Sequence, residues 1–297
     1  MALYRIFFGI IQTIFVLLLT EEMSVWFGEK GILGNQTVSN FNGSVRLNVL
    51  NFDPANPHLL MALFVIFFLA SICLVLGYKT RLAAIVSFIL YSSLYHRDPF
   101  LFNSGDTYMR VSCFWLIFSA AGQALSLDSW LENKRKGLVD PMFTDFKYAP
   151  VSMWAYRLLQ LQLALVYLHT MVCKFWGPVW YDGTAVYYSS RIEDLIRVKL
   201  PYVFENLWTI NLLTWGTLIL ETGLFTLIWI KELRYYVIAC AIIFHLIIDL
   251  HMNIPLFEWE MIISYVLFIE AKHLERALVY IREKLKKLQK REQPAHT

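Results

Sequence analysis

A single lysine stands where an apolar helix runs into an aromatic loop, in the segment from Gln160 to Gly183 of this 297-residue chain. Lys174 closes a run rich in Leu, Val and Ala, and Phe175, Trp176, Gly177, Pro178, Trp180 and Tyr181 follow it. An ammonium in such surroundings must find a partner, reach water or give up its proton. The third outcome makes an amine base. Lys174 is therefore read as a candidate catalytic residue, with Tyr167, Trp176, Trp180 and Tyr181 as candidate walls of its pocket. The same lysine also suits plain anchoring, because lysines at helix ends snorkel to the headgroups beside aromatic belts.

Two further constellations carry ionisable groups into apolar sequence. His245 and Asp249 stand four apart in Phe244-His245-Leu-Ile-Ile-Asp249, so a helix puts them on one face, where they can orient and charge each other. They serve equally as a polar pair that locks helix packing. Arg97-Asp98-Pro99 and Asn103-Ser104-Gly105-Asp106 bring two acids and a base into a short loop. Arg97 is expected to pair with Asp98 or Asp106, and Asp106 either caps the following helix or lines the site. Glu221 is a lone acid in apolar sequence, and Lys174, Arg157 and His169 are its candidate partners. Cys73, Cys113, Cys173 and Cys240 show no metal-ligand spacing and read as small buried hydrophobes, so no metal is expected.

The elements that must position these residues are membrane helices. The chain is 58% hydrophobic and 16% charged, where a soluble domain carries about 25% charged residues. Its apolar runs approach the roughly 20 residues that cross a bilayer. The expected fold is all-α, a polytopic membrane bundle with about eight segments near 3–20, 59–77, 82–95, 108–125, 153–173, 209–230, 236–252 and 256–270. Residues 1–271 form one transmembrane domain and 272–297 a basic cytoplasmic tail. The first run has no small-residue cleavage site and is followed by Glu21-Glu22, so it reads as a retained helix.

With eight spans both termini share one side. Seventeen Lys and Arg fall there, including Lys79, Arg81 and Lys134 to Lys136, against eight on the other side. The positive-inside rule makes that side cytoplasmic and puts loop 174–208 outside. Asn35 and Asn42 begin glycosylation sequons on that outer face. Gly77-Tyr78-Lys79-Thr80-Arg81 reads as a tight cytoplasmic turn that anchors the topology. The net charge of +3 marks no nucleic-acid partner.

In order and spacing these parts resemble the horizontally transferred transmembrane family, whose best-known member is vitamin K-dependent gamma-carboxylase. The resemblance runs to about Phe268 and rests on Gly77 to Arg81, Arg97 with Asn103 to Asp106, Ser126-Leu127-Asp128, Tyr167 through Lys174 to Trp180 and Gly183, Glu221, and His245 with Phe257. It implies a base at Lys174, which matches the first lysine of the carboxylase's adjacent pair; Phe175 stands where the second would be. It also implies that His245 stabilises developing negative charge. The carboxylase's other functional histidine has no counterpart, since Gly105-Asp106 stands near that place. Its β-rich lumenal part, which engages the substrate propeptide, has no counterpart either.

The implied activity is carboxylase- or epoxidase-like chemistry on a reduced, vitamin K-like quinone or a lipid-like molecule in an outward-facing pocket. Membrane lipids, and a small peptide or protein on the outer face, are the expected partners. The alternative is a non-catalytic maturation or export factor for a small secreted peptide, like the sporulation-delaying protein B. A transporter fits less well, because no inverted repeat or matched broken helices stand out.

Overall fold

The computed structural model describes residues 1–34, 37–38, 48–53, 56–137, 153–277, 279–280 and 284. Asn35, Asn42 and most of the basic tail lie outside the described residues. Of the described residues 76% are helical and none lies in a strand. Long helices are α1 (Ala2–Thr20), α3 (Pro57–Leu76), α4 (Thr80–Arg97), α5 (Ser104–Phe118), α7 (Trp154–Phe175), α11 (Leu207–Phe225) and α12 (Arg234–His251). Shorter ones are α2 (Met23–Phe27), α6 (Leu127–Arg135), α8 (Pro178–Tyr181), α9 (Ala185–Ser189), α10 (Pro201–Phe204) and α13 (Phe257–Ser264), which tightens into a 3-10 turn at Tyr265–Phe268.

A helix stands at each of the eight expected positions, but among the described residues four helices are long and apolar enough to cross a membrane: α1, α3, α7 and α12. The reasons lie in length and composition. Helix α5 has 15 residues and α13 has eight, short of the roughly 20 a crossing needs. The fourth expected span stops at Phe118 rather than 125, and residues 119–126 form a loop. Helices α4 and α11 have the length but carry polar side chains. Those include Ser87, Ser92 and Ser93 in α4, and Asn211, Thr214, Thr217 and Glu221 in α11. The expectation of about eight crossing helices is therefore not met by length and apolarity.

Buried polar groups tie the first four long helices together. Gln12 of α1 donates to the hydroxyls of Ser71 in α3 and Ser87 in α4, 2.8 Å each, and accepts from the Cys113 thiol of α5 at 3.4 Å. Gly9 lets α1 lie against the backbone of α3, for a Cβ there would sit 2.8 Å from the Val75 nitrogen. Around this seam pack Phe15, Phe67 and Tyr91, with the Phe15 and Tyr91 rings stacked 4.7 Å apart.

Arg5 is fully buried and donates to the Ala121 carbonyl at 2.9 Å and to that of Leu125, strapping the 119–126 loop to α1. The four cysteines are free, and only Cys113 is buried; Cys173 and Cys240 are exposed and Cys73 is half-buried, because their helix faces point away from the packed interior.

Candidate functional site

The site grows from one face of α7. Tyr167, Thr170 and Lys174 are three and four residues apart, which aligns them along the helix, Tyr167 and Lys174 about 10 Å apart in rise. At the upper end Lys174 forms an ion pair with Glu221 of α11. The other Glu221 oxygen accepts from the Thr170 hydroxyl at 3.3 Å. The Lys174 ammonium lies 4.9 Å from the Trp180 ring centre, so ring face and carboxylate bracket it. Of the three expected partners of Glu221, Lys174 is the one bonded. Arg157 instead donates to Gln160, 2.9 Å away, and His169 approaches Cys173 at 3.6 Å.

At the lower end a chain of hydrogen bonds crosses three helices. His245 of α12 meets Glu258 of α13 through Nδ1 and the Tyr167 hydroxyl through Nε2, the latter at 2.9 Å. Tyr167 in turn is bonded to the Tyr265 hydroxyl. All four residues are at most 4% exposed. With Glu258 as carboxylate and the imidazole neutral, Nδ1–H donates to Glu258 and Nε2 accepts from Tyr167, whose oxygen accepts from Tyr265. Glu258 thus fixes the imidazole tautomer.

Several expected neighbours stand elsewhere. Asp249 does not pair with His245; it turns toward Arg197, 3.5 Å away, because Glu258 occupies the imidazole's free side. Arg97 makes no ion pair with Asp98 or Asp106, and its Nη2 donates to the Gly28 carbonyl at 2.7 Å. Asp106 takes the capping role: with Asn103 it forms a reciprocal capping box at the start of α5, and it accepts from the Tyr91 hydroxyl at 3.2 Å. Trp176 and Tyr181 are 85% and 62% exposed, so they are not enclosed walls. The short loop turns the first outward and ties the Tyr181 hydroxyl to the Phe175 carbonyl, 2.6 Å away.

The loop 174–208 does not project freely. Glu221 lies fourteen residues into α11, about 20 Å from its start, whereas Gly183 and the Val186 amide contact Asn211, Trp215 and Thr214 near that start. Helices α8 and α9 therefore fold back along α11. Two buried acids were missed in the sequence, Glu258 and Glu260, each 1% exposed. The signal was there: Phe257-Glu258-Trp259-Glu260 puts two carboxylates in an apolar run.

With this geometry in place, comparison with known proteins adds a family. A family profile described as "HTTM domain" matches residues 1–273. The chain is also similar to the "Uncharacterized protein YitO" of Bacillus subtilis (strain 168), 27% identical over 96 residues. That match covers 30% of each chain, so the likeness spans under a third of the curated relative's length. No solved structure matches the chain.

Proposed function

The chain belongs to the HTTM-domain family, and from that premise we propose that it is a multi-pass membrane protein that moves a proton to or from a lipid-borne, quinol-like molecule. The single observation that supports this is the alignment of Lys174–Glu221 and Tyr167–His245–Glu258 on one face of α7. The aromatic surface beside Lys174 fits an apolar ligand, since Trp180 lies against the amine and Phe175, Trp176 and Tyr181 offer ring faces. A quinol would supply an acidic hydroxyl there.

Lys174 takes the proton at Nζ, and the Glu221 carboxylate and the Trp180 ring compensate the ammonium that results. His245, set by Glu258, holds the Tyr167 and Tyr265 hydroxyls in a fixed order at the other end of the face.

The test is a pair of substitutions in nanodisc-reconstituted protein supplied with reduced menaquinone, with turnover and retained lipids read by mass spectrometry. Lys174→Arg and Lys174→Ala should both lose turnover by about 100-fold or more. Arginine keeps the charge but cannot release its proton. A well-folded Lys174→Arg protein with full turnover would remove the base and leave the peptide-maturation reading.

The reading also places both termini in the cytoplasm and loop 174–208 outside. An impermeant thiol reagent should label Asp194→Cys in intact cells and spare Lys136→Cys. Labelling at position 136 would reverse the topology.

A further inference from the structure

The turn between α3 and α4 borders an open groove of about 550 Å³, whose lining does not include Lys174. Its walls are Lys79, Thr80, Arg81, Leu82 and Ile85 on one side, and Ser119, Gly122 and Asp128 on the other. The walls are held in place before any ligand arrives. Gly77 and Lys79 both adopt left-handed backbone, φ 69° and 44°. Asp128 accepts from the Lys79 and Thr80 amides at 3.0 and 3.3 Å, which closes the helix start and commits both its oxygens. Arg5 and the Ser126 hydroxyl pin the opposite loop through the carbonyls of Ala121, Leu125 and Gly122.

One polar atom in this wall has no partner. The Thr80 hydroxyl belongs to a side chain 6% exposed and bonds to no described residue. It faces the bare backbone of Gly122, where a Cβ would sit 2.8 Å from it. A buried hydroxyl left unsatisfied is destabilising, and a rotation of the Thr80 side chain toward the groove would let a ligand oxygen satisfy it. Lys79 and Arg81 make no ion pair with a described residue, so two cations face one committed carboxylate. Beyond them Leu82, 55% exposed, and Ile85 continue the wall as apolar surface. Cations, a hydroxyl and an apolar strip in sequence match a phosphate that carries an acyl chain.

We propose that this groove binds the phosphate headgroup of an anionic phospholipid, with Lys79 and Arg81 on the phosphate oxygens, Thr80 donating to one of them, and an acyl chain along Leu82 and Ile85. The volume exceeds what a lone phosphate fills, and the apolar strip would be idle against a free ion. Turns with this role need the cations and the hydroxyl together, not merely a positive count at the membrane surface.

Native mass spectrometry of the full-length protein in detergent, offered dioleoyl phosphatidylglycerol or dioleoyl phosphatidylcholine, reads the preference. Phosphatidylglycerol should be retained at least tenfold better. Lys79→Asn with Arg81→Gln should erase that preference; asparagine tolerates the left-handed backbone at 79. Thr80→Val should weaken retention several-fold while Thr80→Ser preserves it. Equal retention of the two lipids, or unchanged preference in the double variant, overturns the proposal. Displacement of the lipid by millimolar inorganic phosphate would also overturn it, because the site would then read the anion alone. Lys174→Ala should leave the preference intact, which keeps this result separate from the proton-transfer reading.

Discussion

Glu258→Gln is expected to lower turnover of a quinol-like substrate by about 100-fold while leaving the fold in place. The carboxylate accepts from His245 Nδ1 and so reserves Nε2 as the acceptor for Tyr167. An amide has nearly the same shape but can donate as well as accept. It therefore permits the other tautomer, in which Nε2–H faces the Tyr167 hydroxyl and the Tyr167–Tyr265 pair must reverse. Loss of a group that orients a metal-bound imidazole costs roughly 10–100-fold, and an effect at the upper end is expected here because all four groups are dry. The readout that separates orientation from simple packing is the His245 ring nitrogen shift in 15N spectra. It should report Nδ1–H in the wild type and a tautomer mixture in Glu258→Gln. An unchanged tautomer together with full turnover would dismiss the role. Glu258→Leu goes further, stranding Nδ1 in the interior at a cost of about 3 kcal/mol, and should melt earlier.

The second large effect belongs to Gly77. Its φ of 69° charges a substituted residue about 1–2 kcal/mol, and a Cβ there would run into the Arg5 guanidinium and the Ser126 Cβ. Overpacking of this kind adds about 1–3 kcal/mol. Gly77→Ala should therefore destabilise the protein by about 2–5 kcal/mol, seen as a lower midpoint in detergent thermal unfolding. Shortening the obstacle with Arg5→Gln should recover little, because the buried Ala121 and Leu125 carbonyls then lose their donor. A silent Gly77→Ala would mean that the turn is free to rearrange.

The helices were legible in sequence because apolar runs and caps mark them. Asn103 caps α5, which begins at Ser104, earlier than the 108 that hydropathy suggested. The Lys174–Glu221 pair was legible too, as a buried acid and a buried base each need a partner and few candidates exist. What failed was rotation. His245 and Asp249 share a helical face by spacing, yet the nearest acid in space, Glu258, arrives from another helix, and Arg197 draws Asp249 outward. Spacing along one helix says nothing about what other helices bring to it. Arg5 was counted only among the cytoplasmic-side cations and Gln12 was passed over, because a long apolar run hid two polar side chains that knit α1 to four other segments.

The strap from Arg5 also fixes an order of events during synthesis. Its acceptors, the carbonyls of Ala121 and Leu125, lie 116 and 120 residues downstream. The Arg5 guanidinium thus relies on water or headgroups until the loop after α5 has been translated. Helix α3 and Gln12's serine partners are available sooner. Helix α1 is therefore among the last parts to be locked, its closure waiting on a loop that the chain has still to produce.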